Sequence, residues 1–475
     1  MWFPPMRQGL TLPLLFWLGT LAGAQSDDLA LKSRHARELM AAGRFSEAVP
    51  IYEELVRAVP GNPGLILNLG LAERMAGQVR KSIPHFEAVL KVDPRNLPAR
   101  LSLGAAHLEL GEPALAVPPL EGVVAADATN TDARGLLAQA LLGAGRPKEA
   151  AVHFRKLTEL APSDPKAWYG LGKSYEAVST NAFEQLRKTA PESCWMLALV
   201  ADSRVTRKQY RSAFYLYRQA LARNPAMAGV HTSVAEVYRK TGHPNWAADE
   251  QGREPAKPAV VNPSYRESKE YGQLALEAFS HLSMLPESLE YHQLRAETMS
   301  AQGQHLEAAE EWRAALAIQP GNPNLEKEVA VSLYMGGDYR SAAPLFLQFQ
   351  PMPPGLNYME GDSLLHLEEA GRAIPYLEAA VRADPKMMGA HASLGLAYAR
   401  AGQPSKAVPH LEAALPIDDD GSLSYQLSRA YQATGQPERA RQALERYREI
   451  VRKVQAQKDE LSKEAQIAAP PDGRQ

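Results

Sequence analysis

Gly172-Lys173-Ser174 has the residue types that end a phosphate-binding loop, in which backbone amides of a glycine-rich turn surround a phosphate group. That loop needs a glycine five residues before its Gly-Lys pair, and Ala167 stands there. The glycine-rich part of the motif is therefore missing, which argues against nucleotide binding.

Residues 418–421 (Asp-Asp-Asp-Gly) bring three carboxylates together, as some calcium sites do. An EF-hand loop needs a glycine at its sixth position and a glutamate at its twelfth, whereas Leu423 and Arg429 stand at these positions when counting starts at Asp418. Aspartates between two helices are better explained as N-caps, whose side-chain oxygens accept hydrogen bonds from free backbone N–H groups. We therefore predict helix caps rather than a metal site.

The histidines show no HExxH motif or paired metal-ligand spacing. A serine hydrolase would show a Gly-x-Ser-x-Gly elbow, and a glycosidase would need two carboxylates across a cleft in a catalytic domain. The sequence has no such elbow and no segment outside its repeats large enough for a catalytic domain. We predict no catalytic residue, no cofactor and no metal site.

A regular interval of 34 residues organises much of the chain. A fixed period of this length is typical of repeat arrays, in which each unit buries its apolar face against its neighbours. Two positions recur at this interval, a turn glycine and a small residue that follows it five positions later. They are Gly43, Gly77, Gly111 and Gly145, followed by Ala48, Ser82, Ala116 and Ala150.

Each interval predicts a pair of helices. Before Gly77, Leu69 and Glu73 are spaced as on one helix face, and after it Phe86 and Val89 are spaced as on a second. Prolines such as Pro94 then end the second helix. Small residues allow the two helices of a pair to approach closely, and we assign this role to Gly70, Gly104, Gly172 and Gly395.

The pattern resembles the tetratricopeptide repeat family. Trp168, Leu171, Gly172 and Tyr175 have the order and spacing of the first helix of that repeat. The resemblance implies an all-α fold, an α-solenoid in which helix-turn-helix repeats form a right-handed superhelix. A second segment matches nearly as well at Leu394, Gly395, Tyr398, Gly402, Ala407, Leu411 and Ala414.

In our register, position 1 of each repeat is its first residue. His231, His292 and His391 then share position 4 and are expected to form one layer of helix packing. Residues 165–193 form a degenerate repeat, and part of that segment recurs 96 residues later, which suggests an internal duplication. Regular repeats begin at 29, 63, 97, 131, 194, 228, 289, 323, 354, 388 and 421.

Residues 1–24 have the pattern of a secretory signal peptide, with Arg7, an apolar run and the small-x-small sequence Ala22-Gly23-Ala24. We therefore expect an exported chain, periplasmic or extracellular and of bacterial type. No window of the mature chain has the roughly 20 apolar residues of a membrane span. Cys194 is the single cysteine, so no intrachain disulfide can form.

The solenoid is predicted in two segments. An N-terminal array covers 25–250 and a C-terminal array with a capping helix covers 265–460. A proline-rich linker, 251–264, separates them, and a disordered tail follows at 461–475.

Charge is nearly balanced, with 52 Lys and Arg against 54 Asp and Glu, which makes nucleic acid an unfavourable partner.

The resemblance also implies a concave groove lined by the first helices, with ligand contacts at positions 2, 5, 9 and 12. An apolar groove suits an amphipathic helix or an extended peptide. Alternatively, its leucines pack between adjacent first helices. The groove lacks the basic set that accompanies asparagine in arrays that clamp a peptide carboxylate. The candidate residues are Leu67, Asn68, Leu71, Arg74, Leu101, Leu108, Gln139 and Leu142 in the apolar part, and Glu236 and Arg239 in a polar part.

The sequence thus predicts a non-enzymatic scaffold that binds protein or peptide partners of the cell envelope. The alternative is an accessory factor for polysaccharide assembly or export, or for protein secretion. An enzyme would need a block of sequence outside the repeats, where only the short linker is available.

Overall fold

The computed structural model describes residues 15–255, 260–464 and 466–470, and within these ranges α-helices are joined by short turns with no β-strand. The predicted all-α solenoid fold is confirmed. The chain divides into two compact units, Met1–Ala177 and Val178–Gln475, with the boundary inside one long helix.

The first unit contains four helix pairs and the start of the long helix α9. Within each pair the two helices pack on each other, and α2, α4 and α6 also pack on the first helix of the next pair. The helices are α1 (Leu15–Ala41), α2 (Phe45–Ala58), α3 (Pro63–Met75), α4 (Val79–Val92), α5 (Leu97–Glu109), α6 (Pro113–Ala126), α7 (Thr131–Gly143), α8 (Pro147–Leu160) and α9 (Pro165–Thr189).

The second unit repeats this arrangement with one interruption, the single helix α14. Its helices are α10 (Cys194–Thr206), α11 (Tyr210–Arg223), α12 (Val230–Lys240), α13 (Pro244–Gln251), α14 (Pro263–Ser283), α15 (Leu289–Ala301), α16 (His305–Ile318), α17 (Pro323–Met335), α18 (Tyr339–Phe346), α19 (Pro354–His366), α20 (Ala370–Ala383), α21 (Met388–Arg400), α22 (Pro404–Ala414), α23 (Ser422–Ala433) and α24 (Pro437–Glu464). A short 3₁₀ turn, Leu415–Ile417, follows α22.

The turn inside each pair requires a left-handed backbone. Gly77 and Gly111 have φ angles of 78° and 71°, which glycine adopts without a Cβ clash. Lys208 and Glu368 occupy the same repeat position with φ angles of 58° and 65°. At these two turns a side chain accepts a conformation that costs about 1 kcal/mol relative to glycine.

Asparagine begins several first helices at the same 34-residue interval. The side chains of Asn62, Asn96 and Asn130 accept hydrogen bonds from backbone N–H groups three residues later, at 3.1, 3.0 and 2.9 Å. Such caps satisfy N–H groups that have no partner within the helix. They fix where α3, α5 and α7 begin, and so which residues of the three helices are in register.

Four predictions concern the ends and the linker. Residues 1–14 of the expected signal peptide lie outside the described residues, and 15–24 begin α1. In the predicted linker, residues 256–259 are likewise outside them, and α14 begins at Pro263. The division of the array at this linker stays a prediction. The described helices include none long and apolar enough to cross a membrane.

The expected C-terminal helix is present as α24, which ends at Glu464. Within the predicted tail, residues 466–470 make contacts with other parts of the second unit. Tyr238 donates a hydrogen bond to the carbonyl oxygen of Ala468 at 2.7 Å, and Ile467 packs against the hydrophobic core there. The disordered tail at 461–475 stays a prediction, and Ile467 supplies an apolar contact that tail composition does not reveal.

The predicted close approach of paired helices is seen at three of the named glycines. A Cβ added to Gly104 would lie 2.4 Å from Cγ of Leu120, and one added to Gly395 would lie 2.7 Å from Cγ of Leu411. The corresponding distance from Gly70 to Cε1 of Phe86 is 2.8 Å. Each glycine faces a large side chain on the second helix of its own pair, so there is no room for even a methyl group.

Glu360 in α19 is a buried carboxylic acid, with 2% of its surface exposed. Its Oε2 atom has no hydrogen-bond partner in the described part of the chain. Burial raises the pKa of Glu360 to about 7, a shift that Arg372 opposes. Around neutral pH this group is therefore near the middle of its titration in the folded protein.

We expect Gly104→Ala to destabilise the protein by about 1–3 kcal/mol, because the added methyl overlaps Leu120. The matched control is Gly135→Ala in α7, where the added Cβ would lie 3.9 Å from its nearest neighbour. This change should be neutral or slightly stabilising, since alanine favours helix. Thermal melts of both variants test the packing, and equal melting temperatures would contradict it.

The unfolding free energy should fall as pH rises from about 4.5 to above 7, since folded Glu360 holds its proton after the unfolded chain has lost it. The loss contributed by Glu360 is up to about 3 kcal/mol. Glu360→Gln should remove it, so the variant becomes the more stable protein at pH 8. Exposed Glu307→Gln is the control. Denaturant titrations at pH 5 and pH 8 measure the effect, and an unchanged pH dependence in Glu360→Gln would contradict the assignment.

Candidate functional site

A cleft of about 580 Å³ lies in the first unit along the first helices of three successive pairs, α3, α5 and α7. Five of the ten candidate groove residues line it, and Ser102, Ala105, Glu109 and Leu136 complete its wall. The five are Leu71, Arg74, Leu101, Leu108 and Gln139.

The repeat geometry explains why these residues meet. On α5, Leu101, Ala105 and Leu108 are spaced four and three residues apart, so they share one helix face. Leu71 lies 34 residues before Ala105, and Gln139 lies 34 residues after it. Because the three helices begin at equivalent asparagine caps, equivalent positions stand side by side along the cleft.

The floor of the cleft is apolar and half-buried. Leu71, Leu101, Leu108 and Leu136 each keep part of their surface exposed, whereas Ala105 is 9% exposed. The two interpretations of these leucines are therefore compatible, since partly covered side chains can pack on neighbouring helices and still present a face to the cleft. Ligand binding by these residues stays a prediction.

An ion pair forms the polar part of the wall. Nη1 of Arg74 lies 2.5 Å from Oε1 of Glu109, which bridges α3 and α5. The Arg74 side chain is 19% exposed and that of Glu109 is 42% exposed. Nε of Arg74 is buried and has no hydrogen-bond acceptor among the described residues. The cleft thus combines an apolar floor with an arginine–glutamate ion pair in its wall.

Three other candidates of the apolar part, Leu67, Asn68 and Leu142, are half-buried on α3 and α7 but are not among the residues that line the cleft. The positions that sequence reasoning missed are 6 and 13 of the repeat. Leu136 stands at position 6 and Glu109 at position 13. The helical period could have identified them, because position 13 lies one turn beyond position 9 on the same face.

In the second unit, groove positions of α10 are in contact with another helix of the same chain. Asp202 on α10 accepts a hydrogen bond from Tyr217 at 2.6 Å and pairs with Lys269 of α14 at 2.9 Å. The rings of Trp195 and Tyr265 lie 4.9 Å apart between the same two helices. In this unit α14 therefore occupies groove positions of α10.

Glu236 and Arg239, the two candidates in the polar part of the groove, are exposed on α12. Nη2 of Arg239 donates to Oε1 of Gln251 on α13 at 2.8 Å. This contact joins the two helices of one pair. A ligand-binding role for either residue stays a prediction.

The motifs with possible chemistry have structural roles. Ser174 lies within α9 and donates to the carbonyl oxygen of Gly170 at 2.7 Å, so the Gly-Lys-Ser sequence is helical. The carboxylate of Asp418 accepts from the backbone N–H groups of Leu423 and Ser424 at 3.0 and 2.9 Å. The predicted capping role is confirmed for Asp418. No group of three or more metal-binding side chains occurs among the described residues.

The three histidines at position 4 each contact the residue 19 positions later, on the second helix of their own pair. Nδ1 of His231 lies 2.7 Å from Oε1 of Glu250, and Nδ1 of His292 lies 2.8 Å from Oε2 of Glu311. Nδ1 of His391 lies 3.0 Å from Nδ1 of His410. The predicted layer of helix packing is confirmed.

Comparisons with solved structures give similar helical proteins. The structure of MamA residues 41 to the end from Desulfovibrio magneticus RS-1 is 27% identical, with 35% of this chain and 90% of that chain covered and a TM-score of 0.31. A tetratricopeptide repeat protein from Parabacteroides merdae is 13% identical, with 65% of this chain and 99% of that chain covered and a TM-score of 0.34. No curated protein matches the sequence.

Three family models, each described as a tetratricopeptide repeat, match parts of both units. The matched residues are 33–79 and 358–422 for the first, 73–140 and 107–174 for the second, and 422–446 for the third. Together with the helix pairs, their left-handed turn glycines and the close glycine contacts, these matches show that the chain belongs to the tetratricopeptide repeat family.

Proposed function

We propose that this protein is an exported scaffold whose first-unit cleft binds the apolar face of an amphipathic helix or extended peptide from a cell-envelope partner. Tetratricopeptide arrays generally serve as non-catalytic scaffolds for protein interactions. The observation that carries the proposal is the cleft itself, since it brings Leu71, Leu101, Leu108 and Leu136 together beside Arg74. Burial of a leucine from a ligand against such a floor contributes about 1.5–3 kcal/mol.

The polar edge of the cleft further restricts the chemical groups that a ligand needs. The Arg74 side chain keeps 19% of its surface exposed, so a ligand oxygen that binds its guanidinium makes a charge-assisted hydrogen bond worth about 1.5–3 kcal/mol. Glu109 holds the guanidinium through Nη1 and fixes its position beside the leucines. We therefore expect ligands with several leucine-like side chains on one face and a carboxylate or carbonyl oxygen beside them.

The binding test uses displayed 20-residue helical peptides with leucine at positions i, i+3, i+4 and i+7 and one acidic residue beside them. Peptides selected on the parental chain should bind Leu101→Ser/Leu108→Ser at least tenfold more weakly, a change of about 1.4 kcal/mol or more. The matched control is Leu115→Ser/Val152→Ser, which changes side chains that are 57% and 64% exposed on the second helices α6 and α8. Affinities are measured by fluorescence anisotropy, and thermal melts verify that both variants fold.

Equal affinity of the selected peptides for both double variants would place their binding site outside the cleft. Failure to select any helical peptide, combined with retention of an exported polysaccharide by the parental chain, would favour the alternative role in polysaccharide assembly or export. Selected peptides that contain no acidic residue near the leucines would contradict the part assigned to Arg74.

Export has its own test. Expression of the full chain in a secreting bacterium should give an intact mass that begins at Gln25, because Ala22 and Ala24 form a small-x-small cleavage sequence. Ala24→Arg should leave the leader attached, whereas Thr20→Ser should not affect cleavage. Mass spectrometry of the periplasmic and cytoplasmic fractions gives the result. An uncleaved parental chain confined to the cytoplasm would contradict export.

A further inference from the structure

The pair α12–α13 in the second unit is incomplete. Helix α13 has 8 residues, whereas α11, the second helix of the preceding pair, has 14. The next helix in the chain, α14, packs back on α10 through the pair of Lys269 with Asp202. A regular repeat after α13 would cover the apolar face of α12–α13, so at this point of the array another segment is needed.

Tyr238 stands in the centre of this region. Its side chain is fully buried, and its ring lies 5.5 Å from the ring of Phe214 and 5.7 Å from that of Trp246. Burial raises the pKa of Tyr238 to about 12, so its hydroxyl is neutral and able to donate under physiological conditions. A buried tyrosine hydroxyl needs an acceptor, and here the acceptor comes from the other end of the chain.

The acceptor is the carbonyl oxygen of Ala468, 2.7 Å from Oη of Tyr238. The preceding residue, Ile467, is partly buried against the hydrophobic core of α10–α13, and Pro470 is buried. Gln466 and Ala469 are exposed. Residues 466–470 thus show the pattern of a bound peptide, with the Ile467 side chain against the core, one backbone carbonyl bound and neighbouring side chains exposed.

We propose that residues 466–470 are an intramolecular ligand of the Tyr238 site, defined as Tyr238 with the core of α10–α13 that contacts Ile467. The tail completes the pair that α13 leaves short, and the site recognises a segment with an isoleucine side chain followed by a free backbone carbonyl. The proposal is independent of the first-unit cleft, because it concerns different residues and a different ligand.

Binding within one chain is favoured by the short connection. One residue separates the end of α24 at Glu464 from Gln466. A ligand held on a short tether has an effective concentration in the millimolar range, so weak contacts suffice to keep the site filled. A free peptide of the same sequence must displace the tail before it can bind.

The test uses the full chain and a fluorescein-labelled peptide of residues 465–475 as the probe. Ile467→Asp in the chain should release its own tail and leave the site free, since a carboxylate cannot enter the apolar core without a large desolvation cost. We expect this variant to bind the peptide at least tenfold more tightly than the parental chain. The matched control, Ala469→Asp, places the same charge at an exposed position of the tail and should behave like the parental chain.

A second substitution tests the hydrogen bond. Tyr238→Phe in the Ile467→Asp chain keeps the ring but removes the donor, and should weaken peptide binding about 3–10-fold. A direct measurement on the unliganded chains is hydrogen exchange. Amides of α12 and α13 should exchange at least tenfold faster in Ile467→Asp than in the parental chain, with no change in Ala469→Asp.

Three results would overturn the proposal. The first is equal peptide binding by Ile467→Asp and the parental chain. The second is unchanged exchange in α12 and α13 when Ile467 is replaced. The third is a parental chain of twice the monomer mass by light scattering that Ile467→Asp converts to a monomer, since the tail would then occupy the site of a second copy.

Discussion

The contact on which this array depends is the close approach of the two helices within each pair. At Gly104 and Leu120, at Gly361 and Leu377, and at Gly395 and Leu411, a glycine on the first helix lies under a leucine of the second, with no space for a Cβ. Since each pair contacts only its neighbours, the spacing set inside one pair fixes where the next pair can pack. The alignment of α3, α5 and α7, and hence the cleft on them, follows from these local contacts.

Because each helix pair is normally covered by the next pair, an interruption of the repeats in the second unit leaves groups that other segments of the chain cover. Where repeats follow each other regularly, each helix pair is covered by the next. Helices α13 and α14 break that order, and the exposed groups find other partners. Asp202 forms an ion pair with Lys269 of α14, and Tyr238 donates a hydrogen bond to the carbonyl oxygen of Ala468. By contrast, the regular α3, α5 and α7 leave their cleft open to other molecules.

Periodicity predicted the features that a repeat position determines. The turn glycines, the glycine contacts and the histidine layer are all fixed by local spacing, and the sequence carries that spacing directly. The cleft was predicted in part, because the family positions include Leu101 and Leu108 but omit Glu109 and Leu136.

Contacts between distant segments could not be predicted in this way. The packing of α14 on α10 and of Ile467 on the core of α10–α13 joins residues 67 and more than 200 positions apart. No periodic signal records which distant segment will cover an interrupted repeat. The sequence also could not predict the left-handed backbone at Lys208 and Glu368. Both residue types disfavour that conformation, and the surrounding structure holds them in it.

The energetics of the cleft favour a ligand that brings polar and apolar groups together. Apolar contact with the leucines alone would remove more water from Arg74, whose side chain is already only 19% exposed. A ligand oxygen that binds the guanidinium converts that penalty into a charge-assisted hydrogen bond, worth about 1.5–3 kcal/mol. Because the donor is fixed by Glu109 beside the apolar floor, the distance between ligand oxygen and ligand leucines becomes a selection criterion. In the proposed binding mode, the register of α3 and α5 therefore sets that distance and with it the specificity of the cleft.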